Sequence, residues 1–574
     1  MDEDTKKFKL IRNVILVTFL IIILSSVRLQ IVEGKKYYRL SEKNRIRQRY
    51  IPAARGKILD RRGLEIANTR PGFYVSAIQS LIDENTLDEI AHILNINKKT
   101  IEEKLHMEKN PFMTVRIAHD IPYEQLSIIE ENMDQLKGIE VGVEPLRNYP
   151  HEKLFCHLVG YVGEITYDEI AKSKDYKIDD YIGRMGLEEY YEDELKGANG
   201  VEYIEVDARG RELGKITEKR PVPAVAGKDL YTTIDLALTE SVSVYLEDYD
   251  HAACVCLDPR NGEILVLYSK PGFDPNLFVH GLQKKEWETL YHRPDAPMYN
   301  RAIMSCYPCG STFKPFVALA ALDSKMITPK KSFAPCRGEH RLGRRVFKCW
   351  KRHGRLELVD AIIHSCDIYF YQLGVFIGVD TIVSRARETG FGRKTNIDLP
   401  GEKAGLLPDR TWFERHYGEN WTLGHIFNLS VGQGDLLVTP LQLACAYTIF
   451  ANDGKILQPH VVKRKEHNYH TTTISEEAIA IVEEGLRGVV LSGTGTLALV
   501  EDFDVCGKTG TAQNPHGEDH ALFVGYAPCS DPQVLVCVFV ENAGHGGSVA
   551  APITGKIIRA FMQLNKSMDY VHKD

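Results

Sequence analysis

The chain opens on one long apolar run, continues in mixed helical and alternating patterns, and closes on short apolar strands. Val14 to Val27 is almost continuously apolar, and Leu29, Ile31 and Val32 carry the run past Arg28. That length approaches the roughly 20 residues needed to span a bilayer and predicts a transmembrane signal anchor over residues 10–32. A cleaved signal peptide would have a similar apolar core, but Leu24, Ser26 and Val27 make a poor small-x-small cleavage site. Lys6, Lys7, Lys9 and Arg12 favour a cytoplasmic tail over residues 1–9, while Arg28, Lys35, Lys36 and Arg39 oppose it from the far side. Charge alone leaves the orientation open.

Beyond the anchor, Leu87 to Met107 and Tyr123 to Gly138 have helical apolar spacing with polar faces. The charges between Asp88 and Glu108 read as a solvated face. Val201 to Gly214 alternates as a hairpin does. From Leu230 onward the pattern becomes that of a sheet flanked by helices. Ala252 to Pro259 is a buried strand, Arg260-Asn261-Gly262 a turn, and Ile264 to Leu267 the returning strand. Ala521 to Ala527 and Val534 to Val540 are two more strands, and Pro552 to Leu564 is a closing helix. The fold class is therefore α+β.

Composition narrows this picture. At 574 residues the chain exceeds one ordinary core and calls for at least two domains. A net charge of -7 gives no argument for nucleic-acid binding, and no phosphate-binding loop or dinucleotide fingerprint is present. The twelve cysteines are an open question. Cys254, Cys256 and Cys537 fall in strands as small buried residues, and Cys306 and Cys309 can pair with each other or with a neighbour.

The chemistry concentrates in three segments: Ser311-Thr312-Phe313-Lys314, Ser365-Cys366-Asp367 and Lys508-Thr509-Gly510-Thr511. Lys314 lies one helical turn from Ser311, with Pro315 still in the first turn, where a missing N–H costs little. A serine hydroxyl needs a neighbouring base, and a lysine serves only where burial or positive charge lowers its pKa. Taken singly, each serine reads as a helix cap and KTG as a turn. The ordered trio instead resembles the penicillin-binding proteins. With Arg55 to Gly63, Arg147-Asn148-Tyr149-Pro150, Gly160 to Gly163, Gly183 to Glu188, Thr232 to Asp235, Asn300-Arg301-Ala302, Gly432-Gln433-Gly434 and Thr439-Pro440, the chain resembles the class B members, most closely penicillin-binding protein 2 of the elongation machinery. Asp367, where most relatives carry Asn, is similar to that branch.

The resemblance implies a non-catalytic pedestal of the dimerisation type over 33–228 and a serine transpeptidase/β-lactamase-like domain over 229–574, an antiparallel sheet flanked by helices. It implies a D,D-transpeptidase that cross-links peptidoglycan stem peptides during elongation. Ser311 would form the acyl-enzyme with release of D-Ala, with Lys314 as base, Ser365 passing a proton to the leaving amine, and Lys508 supplying positive charge. Asp367, a carboxylate in place of an amide, would pair with Lys314 or Lys508. Thr509 and Thr511 would bind the substrate carboxylate, and Gly510 would let strand and ligand approach. The Ser311 and Thr511 N–H groups would form the oxyanion hole, worth roughly 3–4 kcal/mol per donor. β-Lactams would acylate Ser311 and leave slowly. Acyl transfer itself would require no cofactor.

The same resemblance implies a single pass in the inner (cytoplasmic) membrane with the catalytic domain periplasmic. It implies as partners a RodA-like SEDS glycosyltransferase, other elongation-machinery membrane proteins, and lipid II-derived glycan strands. A division-type transpeptidase is the nearest alternative. A penicillin-sensing receptor would carry several membrane spans or a protease module, a bifunctional class A protein a glycosyltransferase domain, and a β-lactamase would be a smaller secreted domain without a pedestal.

One further cluster stands on spacing. Cys336, Cys349, His353 and Cys366 follow Cys-x12-Cys-x3-His-x12-Cys, three thiolates and an imidazole suited to a structural zinc ion. Some penicillin-binding protein 2 relatives resemble this with Asp at two of the four positions. A Cys336–Cys349 disulfide with Cys366 buried is the alternative.

Overall fold

The computed structural model describes residues 2–571 apart from 108–110, 113, 173–175, 177–179, 208–211, 217–218 and 280–283. The amino-terminal run forms one helix, α1 (Asp2–Val27), followed by a short π-helical turn over Arg28–Val32. Thr5–Val32 is long and apolar enough to cross a membrane, and none of it is buried.

The chain forms two compact units, one of 1–55, 69–146 and 196–227, the other of 56–68, 147–195 and 228–574. Thus 56–68 and 147–195, inside the stretch assigned to the pedestal, cluster with the carboxy-terminal half. They reach it directly: Thr232 donates its N–H to the Leu59 carbonyl, Arg62 pairs with Asp235, and Tyr149 donates its N–H to Asn276 Oδ1. The signature residues also bind these stretches to each other. Arg147 and Glu188 form a fully buried ion pair at 2.6 Å, and Arg147 also donates to the Gly56 carbonyl. Tyr149 donates its hydroxyl to Glu188 as well. A buried charge must be paired, so these three segments are tied to one place.

In the first unit, strands β1 (Ile46–Ile51) and β2 (Glu65–Ile78) belong to two separate sheets. Helices α2 (Glu84–Leu94) and α3 (Lys98–Met107) replace the single helix expected over 87–107. Asn95 stops the first in a left-handed conformation, φ 54°, which Asn tolerates at a helix end. The second expected helix is α4 (Tyr123–Glu131), short of Gly138. Ile90, Ile101, Ile117 and Ile129 meet in the core of this unit. The expected hairpin pairs β3 (Gly200–Val206) with β4 (Glu212–Lys215), its turn lying outside the described residues.

The second unit is built on an antiparallel five-stranded sheet. In order across the sheet it comprises β6 (Ile264–Lys270), β5 (Ala252–Leu257), β9 (Val534–Val540), β8 (His520–Ala527) and β7 (Cys506–Ala512). The continuous apolar runs of β5, β8 and β9 are covered on both faces, as strands without alternation must be. Helix α5 (Leu236–Tyr245), capped by Asp235, and the terminal α11 (Ala550–Val571) pack into one shared core with the sheet. Three helices important to the site are α6 (Lys314–Asp323), α7 (Asp367–Glu388, interrupted at Gly378) and α9 (Pro440–Ala451). Residues 314–322 of α6 and all of α9 are buried. A helix apolar all round has no face to offer water.

Candidate active site

Ser311 sits in a 3-10 turn, Gly310–Phe313, immediately before α6. That turn is wedged against backbone on two sides. Gly310 donates its N–H to the Gly432 carbonyl at 2.8 Å. A Cβ at Gly432, whose φ is +71°, would lie 2.1 Å from the Gly310 oxygen. One at Gly510 would lie 2.9 Å from both the Cys309 oxygen and the Thr312 methyl. Gly510 therefore admits the turn that carries Ser311, a close approach between two parts of the protein in addition to any made by a ligand. Gln433 holds the same seam by donating from its amide to the Thr511 carbonyl at 2.8 Å. Tyr447, on α9, donates to the Thr312 carbonyl at 2.7 Å.

Around this turn the predicted residues converge, with one difference. Lys314 Nζ donates to Asp367 Oδ1 at 2.7 Å, to the Ser365 carbonyl at 2.8 Å and to Ser365 Oγ at 3.1 Å. The hydroxyl of Ser311 makes no hydrogen bond among the described residues, so the neighbourhood implied by the SxxK spacing is not a Ser311–Lys314 contact. An ionised carboxylate is the better acceptor for an ammonium than a neutral hydroxyl, and Asp367 takes it. Lys508 Nζ donates to Ser365 Oγ at 2.9 Å. Both lysines are fully buried. Burial, and then the charge of Lys314, push the Lys508 amine well below its ordinary pKa.

Ser365 is held between the two amines with φ +52°, a left-handed conformation that a non-glycine residue adopts at a cost. It does not cap α7; the N-cap position is Cys366. Lys508, Thr509, Gly510 and Thr511 lie on β7, the edge strand of the sheet, whose outer side is unpaired by any strand. Thr509 Oγ1 is 2.7 Å from Thr494 Oγ1, a residue that no motif in the sequence singled out.

The Cys336, Cys349, His353 and Cys366 donor atoms all lie within 4.8 Å of one another. His353 Nδ1 is 3.6 Å from the sulfurs of both Cys336 and Cys349. The three thiols of this cluster and both Cys306 and Cys309 are free, so neither disulfide left open by the sequence is formed. The disulfide present is Cys506–Cys529, which fastens the start of β7 to the connection after β8. Its sequence signal was faint: two cysteines 23 residues apart, one just before the KTG segment and one in the connection between the two expected strands.

A nucleophile turn on a buried helix, a serine between two lysines, and a KTG edge strand together define an active-site-serine acyl transferase of the transpeptidase/β-lactamase fold. Two family models match the chain, the penicillin binding protein transpeptidase domain over residues 252–559 and the penicillin-binding protein dimerisation domain over residues 50–232. The peptidoglycan D,D-transpeptidase MrdA of Acinetobacter baumannii is 34% identical, across 94% of this chain and 85% of its own length. A complex between penicillin-binding protein 2 and MreC from Helicobacter pylori is similar with a TM-score of 0.80 at 26% identity, covering 90% of this chain and 99% of that one. A chain of a peptidoglycan synthase complex solved for the structural coordination of polymerization and crosslinking is 29% identical, with a TM-score of 0.73 over 97% of this chain and 98% of its own. The chain belongs to the class B penicillin-binding proteins, serine-type peptidoglycan D,D-transpeptidases, in their penicillin-binding protein 2 branch.

Proposed function

We propose that this transpeptidase cross-links peptidoglycan stem peptides during cell elongation through an acyl-enzyme on Ser311. The observation that carries the reading is the convergence of Lys314, Lys508 and Asp367 on Ser365 beside the Ser311 turn. The Ser311 oxygen adds to the carbonyl of the penultimate D-Ala, the bond to the terminal D-Ala nitrogen breaks, and free D-Ala leaves. An amine from a neighbouring stem peptide then takes the acyl group and restores the hydroxyl.

Lys314 accepts the serine proton. Ser365, already in contact with both amines, passes a proton to the departing nitrogen. Lys508, Thr509 and Thr511 receive the substrate's terminal carboxylate, and the Ser311 and Thr511 N–H groups stabilise the oxyanion. Asp367, in contact with Lys314 Nζ, orients the amine toward the serines. β-Lactams, which carry a strained amide and a carboxylate in the same relation, acylate Ser311 and block it.

Cys336, Cys349, His353 and Cys366 would hold a structural zinc ion. Tetrahedral Zn–S and Zn–N bonds require S···N separations of roughly 3.6 Å, the spacing found from His353 to two of the sulfurs. With four protein ligands no position is left for water. Such an ion would fix Cys366, and through the chain Ser365 and Asp367 on either side.

The relative bound to MreC and the one solved as a peptidoglycan synthase complex support membrane partners of the elongation machinery, with a RodA-like SEDS glycosyltransferase supplying lipid II-derived glycan strands. Residues 33–228 serve as the pedestal, and residues 229–574 as the transpeptidase domain. Helix α1 anchors the chain in the cytoplasmic membrane with residues 1–9 inside and the catalytic domain outside, where the substrate is.

Mass spectrometry of the full chain after β-lactam treatment tests the reading. The expected adduct lies on the peptide containing Ser311. Ser311→Ala should abolish it, and Lys314→Ala should slow acylation at least about 100-fold. Undiminished labelling of the Ser311→Ala protein would defeat the assignment.

A further inference from the structure

Residues 337–355 concentrate eight arginines and lysines against a single glutamate, in a chain whose net charge is -7. They form a hairpin in which strand Glu339–Leu342 pairs antiparallel with strand Arg345–Lys348, closed by Gly343. One side of it is packed. Phe347 meets Tyr371 and Phe427 edge-on, and His340 meets Phe427. The charges are on the outside: Arg337, Arg341, Arg344, Arg345, Lys348, Lys351, Arg352 and Arg355 are all exposed. Among the described residues only Arg341 has an ion-pair partner, Glu339 at 3.5 Å. A fold gains nothing from assembling so many unpaired like charges.

The hairpin's base is fixed in the active site. Cys336 and Cys349, at its two ends, gather with Cys366, the residue between Ser365 and Asp367. Just past Cys349, Trp350 is 60% exposed, held by a hydrogen bond from its indole N–H to the His364 carbonyl.

We infer that this hairpin is a binding site for the carboxylates of peptidoglycan strands, holding stem peptides of the substrate or product next to Ser365. The inference rests on the transpeptidase reading and extends it to a second region of the same site. Six of the eight cations are arginine, whose planar fork matches a carboxylate in two parallel hydrogen bonds. The exposed indole adds a flat amphipathic surface of the kind that packs against a polymer with apolar faces and polar edges. An anionic lipid surface is the competing occupant. It needs neither the arginine bias nor a base anchored between two residues of the catalytic motif.

The test uses the full chain in detergent and the triple variant Arg344→Glu, Arg345→Glu, Lys348→Glu, whose altered side chains are exposed. Purified uncross-linked glycan strands with intact stem peptides are sedimented with each protein, at low and high salt. The same strands with their carboxylates converted to amides, and vesicles of anionic phospholipid, are run in parallel. The unmodified protein is expected to bind the acidic strands in a salt-sensitive way and the amidated strands at least about tenfold more weakly. The variant should lose acidic-strand binding by a similar factor and cross-link strands more slowly, while fluorescent penicillin labels it at the unmodified rate. Equal strand binding by the two proteins, or equal binding of acidic and amidated strands, would overturn the proposal. So would a loss confined to the lipid vesicles. Failure of penicillin to label the unmodified protein would overturn the transpeptidase reading itself, a separate outcome read in the same experiment.

Discussion

Asp367 shows how a single atom type alters a site. An amide at this position can donate as well as accept, whereas the ionised carboxylate only accepts, and it takes Lys314 Nζ at 2.7 Å. Asp367→Asn leaves Lys314 Nζ facing an amide in place of a carboxylate, so the acylation rate by fluorescent penicillin and its pH profile should both change. An unaltered rate and profile would make the carboxylate incidental. His157 offers a stability counterpart. It is buried with Nε2 2.8 Å from the Pro297 carbonyl, and burial lowers its pKa to about 4. Between pH 4 and the ordinary value near 6.5, the unfolded chain binds a proton that the folded one refuses, so stability falls as pH drops through that window. The full effect is about 3 kcal/mol. Urea unfolding at pH 7 and pH 4 checks it, and His157→Gln should flatten that part of the pH dependence.

Glycines decide the fit of elements around the nucleophile. Gly510 brings β7 against the turn before α6, and an alanine there would place its Cβ 2.9 Å from the Cys309 oxygen. Since that obstacle is backbone, the turn must move. Gly510→Ala should cost about 1–3 kcal/mol in denaturant unfolding and slow penicillin acylation at least about tenfold. The cysteine cluster acts on a different pair of elements, the charged hairpin and the start of α7. Protein purified without chelator should contain close to one zinc per chain by elemental analysis. Stripping the metal should lower the melting temperature by about 5 °C or more and slow acylation. Less than about half an equivalent, with a mapped Cys336–Cys349 disulfide, would reject the ion.

At the scale of the whole chain, the amino-terminal apolar helix stands apart from the two compact units. Thr5–Val32 is exposed along its full length, so nothing in the fold of either compact unit depends on burying it. Deletion of residues 1–32 should leave penicillin acylation within about twofold of the full chain, because exposed segments contribute little to folding. It should abolish co-purification with a SEDS polymerase expressed in the same cells. Unchanged co-purification would exclude a contact made by the membrane helix.

Local properties were legible from residues 1–574 in order. The amino-terminal apolar helix, the apolar strands of the sheet, the terminal helix and the three motif segments each follow from apolar runs, periodicity or short motifs, which depend only on near neighbours. The donor set Cys336, Cys349, His353 and Cys366 was legible for the same reason, since loops pinned at their ends need only the right residues at the right intervals. Facts about distant pairs were not. The break at Asn95 turned one predicted helix into two because a left-handed cap is a conformational choice that apolar spacing does not encode. The clustering of 56–68 and 147–195 with the carboxy-terminal unit depends on contacts such as Arg62 with Asp235 and Tyr149 with Asn276. Asp367 was expected to pair with Lys314 or Lys508, and it pairs with Lys314; which of the two it meets, that Thr494 meets Thr509, and that Cys506 bonds Cys529 are likewise outcomes of packing. A side chain's partner is chosen by whichever acceptor the fold brings within 3 Å, and sequence spacing limits that choice only along a single helix or strand.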